Sequence, residues 1–167
     1  MPNLLMTAKW ITPDLCDAHP DEVRVVHGID WRSYGGRRSF GGAIETVRCF
    51  EDNSRVKERL ASAGDGKVLV VDGGGSLRHA LIGDMIAGDA LENGWRGVLI
   101  HGACRDVEAL AELDLGLFAV GCVPIKSVRH GEGQLNVPIQ FGGVEFNPGD
   151  HVYADANGVI VAGRALV

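Results

Sequence analysis

The stretch that decides the fold is KVLVVDGGGS, residues 67–76. Its first six residues form an apolar, β-branched run typical of a strand buried on both faces of a parallel sheet, and the glycines end that strand. Residues 97–102 (GVLIHG) and 117–123 predict two more buried strands, with helical patterns at 77–93 and 106–113 between the three. Strand, helix, strand, helix, strand in this order predicts a parallel α/β core with right-handed crossovers.

Shorter elements precede this core. Thr12 is predicted to be the N-cap of a short helix with Pro13 at its first position. Residues 35–42 (GGRRSFGG) predict a loop, and an alternating strand is expected over 43–50. A helix is expected at 54–63, where glycines close it.

The C-terminal part has a different pattern. Residues 137–146 alternate between apolar and polar, and 147–150 (NPGD) predict a turn. A strand at 151–154 then leads through a hairpin turn at 156–158 (ANG) into a strand at 159–162. An antiparallel layer is therefore expected beside the parallel one.

Length and composition agree with this picture. A chain of 167 residues has the size of one domain, so residues 1–167 are predicted to form a single mixed α/β domain of βαβ units with parallel and antiparallel β layers. With 16 basic and 22 acidic residues the formal charge is −6, which disfavours direct nucleic-acid binding. The charge permits a small substrate held through a metal, or a basic protein partner.

Cysteine usage and hydropathy indicate the compartment. The four cysteines show no C-x-x-C spacing, which predicts four reduced, mostly buried thiols. No basic region followed by a long apolar core marks a signal peptide. The longest apolar stretch, 115–123, contains glycines and is too short to span a bilayer. A soluble, cytoplasmic protein with no membrane partner is expected.

The glycine run after the first buried strand could suggest a nucleotide site. Gly73 and Gly75 supply G-x-G, but Arg78 stands at the third glycine position, and no G-K-[ST] follows. A tight strand-to-helix turn is the favoured interpretation.

A second pattern carries more chemical information. Asp84 is followed, after twenty intervening residues, by Arg105 and Asp106. In an open α/β sheet, ligands bind outside the carboxyl ends of the strands, and both segments come from adjacent βα units. The pattern predicts one cleft that holds two carboxylates and a guanidinium.

Gly83 indicates how the first segment is built. Glycine costs about 1 kcal/mol relative to alanine inside a helix, which suggests a break there rather than a continuous helix. A new helix starting at Gly83-Asp84 would leave the amides of Met85 and Ile86 free to bind a substrate carboxylate. Two simpler readings remain open: Asp84 as a plain N-cap, and Asp106 as a first-turn aspartate that complements the helix dipole.

These residues carry a resemblance. The chain resembles the family of 4-hydroxy-4-methyl-2-oxoglutarate aldolases and the regulator of ribonuclease E activity A, over nearly its whole length. The matching motifs are SFGG 39–42, CFEDN 49–53, VVDGGGS 70–76, FGGV 141–144 and GDHVYAD 149–155. This resemblance implies a swivelling β/β/α arrangement. Aldolase members carry an acidic residue, twenty residues and then Arg-Asp, whereas the best-known regulator has a different residue after the Arg. Asp84, Arg105 and Asp106 form the complete set here.

The resemblance implies a role for each residue of the set. Asp106 would ligate a divalent metal ion, Mg²⁺ or Mn²⁺, with water completing its shell. Arg105 would hydrogen-bond the substrate's 2-oxo oxygen, where charge gathers as the pyruvate enolate forms. Asp84 would hold a metal-bound water that serves as general base for the C4 hydroxyl.

Further candidate residues lie close to this set in the sequence. The substrate carboxylate would be bound at Gly83 and by the amides of Met85 and Ile86. His79 and His101 lie near the site in sequence, but a hard cation gives them little reason to ligate. Cys104 adjoins Arg105, and no base pairs with it in the sequence.

The implied reactions are retro-aldol cleavage of 4-hydroxy-4-methyl-2-oxoglutarate to pyruvate and decarboxylation of oxaloacetate. The resemblance also implies a homotrimer or a dimer of trimers, with clefts near the subunit boundaries. The alternative is a protein-binding regulator that inhibits ribonuclease E or an RNA helicase through an acidic surface. A quinone methyltransferase is disfavoured, because no S-adenosylmethionine signature is present.

Overall fold

The computed structural model describes residues 10–167, which form four helices and twelve strands. The helices are α1 (Thr12–Ala18), α2 (Ser54–Leu60), α3 (Asp84–Glu92) and α4 (Val107–Leu110). The strands are β1 (Arg24–Val25), β2 (Arg32–Ser33), β3 (Phe40–Arg48), β4 (Val68–Asp72), β5 (Ala80–Ile82), β6 (Gly97–Cys104), β7 (Gly116–Cys122), β8 (Gln134–Leu135), β9 (Ile139–Phe141), β10 (Val144–Phe146), β11 (His151–Asp155) and β12 (Gly158–Ala162). In this part of the chain no helix combines the length and the apolar character needed to cross a membrane.

Ten of these strands share one sheet. Its order is β1-β12-β11-β3-β4-β6-β7-β2, with β5 beside β6 and β8 beside β3, while β9 and β10 form a separate hairpin. Strands β3, β4, β6 and β7 run parallel, as does β5 beside β6. Strands β11, β12 and β1 extend the sheet in antiparallel fashion. The α/β class, with combined parallel and antiparallel β layers, is confirmed.

The parallel strands are buried on both faces, which explains their continuous apolar sequence. Along β4, Leu69 and Val71 pack in the core under the three central helices. Val68 and Val70 point the other way and pack with the β9–β10 hairpin and the antiparallel strands. The sheet therefore separates two cores.

Strand β3 begins earlier than its sequence predicts. The stretch 35–42 was expected to be a loop throughout, but Phe40 already pairs with Ala154 of β11, and its side chain is buried. The Phe40 ring crosses the first residues of two neighbouring strands, where a Cβ on Gly97 or Gly116 would lie 2.3 or 2.2 Å from it. Burial of this ring extends the strand into the glycine-rich segment.

The first two helices also depart from prediction. Thr12 is not the N-cap of α1, because Ile11 holds that position and Thr12 is the first helical residue. The Thr12 amide and hydroxyl donate to the Asp155 carboxylate at 2.7 and 2.8 Å, so a distant strand supplies the cap. Helix α2 ends at Leu60, three residues before its predicted end.

The predicted helix at 77–93 is partly wrong. Residues Ala80–Ile82 form β5, which pairs with the end of β6, and all three are buried. The expected break at Gly83 is confirmed, since α3 starts at Asp84. Helix α4 is a single turn rather than the predicted 106–113.

The C-terminal alternation at 137–146 divides into β9 and β10. Gly142 and Gly143 between them have φ of 62° and 76°, the positive values that a tight two-residue hairpin turn requires. The predicted hairpin and its two strands are confirmed, but its turn consists of residues 156 and 157 alone, because Gly158 already pairs with Asp155.

All four cysteines are free, but the expectation that most are buried is wrong for two of them. Cys49 and Cys104 are buried, whereas Cys16 is half-buried and Cys122 is exposed.

Candidate functional site

The two segments that the sequence predicted to converge do meet. Strand β5 ends at Ile82 and lies parallel to the end of β6, and the Arg105 amide donates to the Ile82 carbonyl at 3.0 Å. This bond places Gly83 and Asp84 directly beside Arg105 and Asp106. The site lies at the carboxyl ends of the parallel strands, where α/β sheets bind ligands.

Asp106 has an uncommon backbone conformation. Its φ of 60° and ψ of 43° lie in the left-handed region, which aspartate tolerates better than most residues. Although Asp106 is the N-cap residue of α4, its side chain makes no capping bond to that helix. Its Oδ2 instead accepts the Asp84 amide at 3.0 Å. An ordinary role within α4 therefore does not account for Asp106.

Arg105 completes this contact. Its Nε lies 3.9 Å from Asp106 Oδ2, and the two side chains are 37% and 38% exposed. Because both remain accessible, the guanidinium and the carboxylate can reach a ligand together. Asp84 is exposed as well, and it is the first residue of α3 rather than its N-cap, a position that Gly83 occupies.

Glycine at position 83 is required by the site. Its φ of −137° and ψ of −163° are open to any residue, so backbone conformation does not select glycine. A Cβ there would lie 2.5 Å from Asp106 Oδ2 and 3.3 Å from Arg105 Cγ. The absent side chain is what lets the carboxylate reach the Asp84 amide.

The start of α3 provides further donors. The Ala87 amide makes the first intrahelical bond, to the Gly83 carbonyl at 3.0 Å. The amides of Met85 and Ile86 precede this bond and have no acceptor within the helix. Met85 projects into solvent with 80% of its side chain exposed, whereas Ile86 is buried. The helix N-terminus next to Asp106 thus suits a carboxylate group.

A shallow cavity of about 190 Å³ adjoins Arg105 and Asp106. Its remaining wall consists of Val107, Glu108, Cys122, Val123 and Pro124. Sequence reasoning did not identify the wall residues that follow β7. The predicted third buried strand was the signal that could have identified them, because neighbouring parallel strands end at the same edge of a sheet.

The donor set limits which metal could bind. Within residues 10–167, no cluster of three or more His, Cys, Asp or Glu side chains is placed to hold a metal. Asp106 offers a hard carboxylate oxygen in the open, which fits Mg²⁺ or Mn²⁺ that keep water and substrate as their other ligands. A structural zinc site would need four protein ligands, which this arrangement does not supply.

The nearby histidines and cysteine face other groups. The His79 Nδ1 lies 3.0 Å from the Lys126 carbonyl, and the His101 ring stacks on Phe141 with centroids 4.8 Å apart. Burial raises the pKa of the Cys104 thiol to about 12, so it is protonated at neutral pH.

The glycine run after β4 is a tight turn, as predicted, but it leads to strand β5 rather than to the expected helix. The amides of Gly73 and Gly75 both donate to the His101 carbonyl at 3.0 Å, and the Gly74 amide donates to Asp72. Burial opposes ionisation of Asp72, but the neighbouring His101 ring and the Gly74 amide outweigh it and lower the pKa of that carboxyl.

The protein is an α/β protein in which an Arg-Asp pair follows one of the parallel strands and lies beside the N-terminus of a helix. The chain belongs to the RraA-like family, described as Aldolase/RraA, whose model matches residues 12–161. The family resemblance drawn from the sequence is therefore confirmed.

Three relatives illustrate the family. A candidate 4-hydroxy-4-methyl-2-oxoglutarate aldolase of Alcanivorax borkumensis is 68% identical over 158 residues, 95% of this chain and 99% of the relative. A Geobacillus kaustophilus structure described as an S-adenosylmethionine:2-dimethylmenaquinone methyltransferase matches with a TM-score of 0.92 and 48% identity, over 94% of this chain and 97% of that one. The RNA-processing inhibitor RraA of Thermus thermophilus matches with a TM-score of 0.91 and 42% identity, over 95% and 96%.

Proposed function

We propose that this protein is a divalent-metal-dependent lyase for pyruvyl-type 2-oxo acids. It cleaves 4-hydroxy-4-methyl-2-oxoglutarate to pyruvate by a retro-aldol reaction and decarboxylates oxaloacetate. The observation that carries the proposal is the Asp106 carboxylate, held against the Asp84 amide with the Arg105 guanidinium beside it. The aldolase name of a 68% identical relative supports the same reaction.

Arg105 and the start of α3 bind the pyruvyl end of the substrate. The Arg105 guanidinium donates to the 2-oxo oxygen, where negative charge develops as the carbon–carbon bond breaks. The amides of Met85 and Ile86, next to Gly83, donate to the adjacent carboxylate. A divalent ion, Mg²⁺ or Mn²⁺, held by Asp106 would supply Lewis acidity at the same oxygen.

Asp84 supplies the proton transfer that distinguishes the two reactions. Its exposed carboxylate accepts the proton of the C4 hydroxyl through a water, and the C3–C4 bond then breaks. The electrons of that bond move toward the 2-oxo oxygen beside Arg105 and leave a pyruvate enolate, while the distal half leaves as one pyruvate. The enolate then takes a proton from water at C3 and leaves as the second pyruvate. Oxaloacetate loses carbon dioxide instead and needs no hydroxyl base.

The decisive experiment compares both reactions in Asp84→Ala. Pyruvate release from each substrate is measured with added Mg²⁺, and Asp89→Ala serves as control because Asp89 is an exposed aspartate of the same helix. Retro-aldol activity should fall about 10²–10⁴-fold, the usual contribution of a general base, while decarboxylation falls much less. Equal losses in the two reactions would contradict the role of Asp84. Activity without any metal in a chelator would contradict the role of Asp106.

The functional assembly is proposed to be a homotrimer or two stacked trimers, with the site near a subunit boundary. Support comes from large apolar side chains near this edge that are 48–80% exposed in the single chain: Phe50, Leu77, Met85, Ile125 and Val128. The cavity beside Arg105 and Asp106 holds about 190 Å³, which is smaller than most ligand pockets, and residues 83–86 do not line it, as expected if a neighbouring subunit completes the site. Light scattering of the purified protein gives the mass, and a monomer that retains full activity would contradict this assembly.

A second function has its own support. A relative that is 42% identical over 95% of this chain is an RNA-processing inhibitor, and the chain carries a net charge of −6. The alternative is therefore inhibition of ribonuclease E or an RNA helicase by protein binding. Arg105→Ala separates the two functions, because it should abolish lyase activity and leave any inhibition unchanged. A methyltransferase, the description given to another relative, is not proposed here, because no S-adenosylmethionine signature is present and the Gly73 and Gly75 amides already donate to the His101 carbonyl.

A further inference from the structure

A second, larger cavity lies at the opposite edge of the sheet. Its volume is about 670 Å³, within the range of small-molecule sites. Ser39, Lys67, Arg96 and His151 line it, and each stands at or just before the first residue of β3, β4, β6 or β11. The candidate lyase site is at the other ends of β4 and β6, so the two sites do not share residues.

Cationic side chains line part of the cavity on an acidic protein. Lys67 and Arg96 lie on its wall with Asp65 and the last residue, Val167, whereas Arg37, which also lines it, is already paired with Asp114 at 3.1 Å. The whole chain carries a formal charge of −6, so two cations on one wall of a concave site are a local departure that attracts anions.

Two of these cations are only weakly engaged. The Arg96 guanidinium reaches the Gly41 carbonyl at 3.4 Å, and no carboxylate of residues 10–167 lies within 4.0 Å of it. Lys67 lies 3.4 Å from Glu45, a carboxylate that Arg59 already binds. Arg96 and Lys67 can therefore bind an anion without losing a strong ion pair.

Two buried polar atoms in the wall lack partners. Ser39 Oγ and His151 Nδ1 are buried without a hydrogen bond to any residue in the range 10–167. Leaving such a group unsatisfied costs about 1–3 kcal/mol. Both atoms are covered by the wall itself, so a ligand in the cavity does not reach them. The donor set for phosphate or carboxylate oxygens therefore consists of Arg96 and Lys67.

An aromatic wall faces this donor set. Trp10 lines the cavity and packs edge to face on Tyr153, with ring centroids 5.1 Å apart. The Tyr153 hydroxyl accepts the Leu166 amide at 2.8 Å, which fixes the C-terminal segment as the rim. Trp10 offers an apolar surface to the organic part of a ligand.

We propose that this cavity is a second ligand site, for a small organic anion with two or more negative charges on phosphate or carboxylate groups. Arg96 and Lys67 bind the charged groups, and Trp10 contacts the carbon skeleton.

The test is calorimetric titration of the full chain with pyrophosphate and, separately, with citrate, in the presence of a chelator. One saturable site per chain is expected for at least one of the two anions, and which one binds identifies the acid group. Arg96→Gln and Lys67→Met should each weaken binding about tenfold, the loss of one charge-assisted contact of about 1.4 kcal/mol. Arg38→Gln is the matched control, because Arg38 is an exposed neighbour that does not line the cavity. No binding at millimolar anion, or an equal loss in the control, would overturn the proposal.

A second measurement places the anion. The indole N–H resonance of Trp10 should shift on titration, while that of Trp31, which packs in the core behind Phe118 and Phe141, should not. Arg105→Ala should leave the affinity unchanged. Binding that Arg105→Ala abolishes, with no shift at Trp10, would assign the anion to the candidate lyase site and refute a second one. The Trp10 shift and the affinity of Arg105→Ala are measured without the Arg96→Gln variant, so they remain decisive if Arg96→Gln fails to fold.

Discussion

Replacing Gly83 with alanine should inactivate the candidate site without unfolding the protein. The new Cβ would lie 2.5 Å from Asp106 Oδ2, whereas ordinary contact begins at 3.4 Å, so the carboxylate must retreat by about 0.9 Å. The same movement lengthens the 3.0 Å hydrogen bond from the Asp84 amide. The backbone at position 83 tolerates alanine, since its φ is −137°.

The size of the effect follows from this displacement. A misplacement of about 1 Å at a reacting centre can lower the rate about 10²-fold. Loss of a hydrogen bond to a charged group costs about 1.5–3 kcal/mol, part of which water recovers because Asp106 is 38% exposed. Activity should therefore fall much further than stability.

The assay is pyruvate release from 4-hydroxy-4-methyl-2-oxoglutarate with saturating Mg²⁺, together with thermal unfolding. Gly88→Ala is the control, because Gly88 lies in the same helix and an added Cβ meets nothing within 4 Å. That control should keep full activity and gain up to about 1 kcal/mol of stability. Wild-type kcat/KM in Gly83→Ala would refute the reasoning that this glycine makes room for the Asp106 carboxylate.

Three further predictions concern the fold. Gly97→Ala should lower the free energy of unfolding by about 1–3 kcal/mol in urea denaturation, because the new Cβ would lie 2.3 Å from a buried aromatic ring; unchanged stability would contradict this packing. Hydrogen bonds from Arg59 outweigh burial and hold the pKa of Glu45 at about 2. The contribution of ionised Glu45 to the free energy of unfolding is therefore complete above pH about 4.5 and is lost as the pH falls toward 2. Glu45→Gln should lower stability near neutral pH by about 1.5–3 kcal/mol and flatten that acid dependence, and an unchanged slope would argue against it. Iodoacetamide followed by mass spectrometry should label exposed Cys122 well before Cys49, whose pKa burial raises to about 12; equal labelling rates would be inconsistent with that burial.

Much of the architecture could be predicted from local sequence. The unbroken apolar runs around Val68–Asp72 and Gly97–Cys104 predicted buried parallel strands, because only strands covered on both faces lack alternation. Gly83 predicted the break that starts α3. The spacing from Asp84 to Arg105 placed both segments at one edge, since consecutive parallel strands end on the same side.

Elements that depend on contacts with residues far away in the sequence could not be predicted in this way. Ala80–Ile82 fits a helix by its pattern, and only pairing with the end of β6 makes it a strand. Thr12 looked like a helix cap, but its hydrogen bonds go to Asp155, 143 residues away. Phe40 extends its strand because its ring covers two glycines from other strands.

The candidate site shows the same division. The sequence by itself determined which residue types were available, namely one carboxylate at Asp84 and, after twenty intervening residues, the guanidinium and carboxylate of Arg105 and Asp106. Only the tertiary structure set Asp106 in a left-handed conformation and directed its carboxylate to the amide of Asp84. The physical reason is that propensity and hydrophobic period depend on near neighbours, whereas this conformation is stabilised by a contact that exists only after β5 pairs with β6.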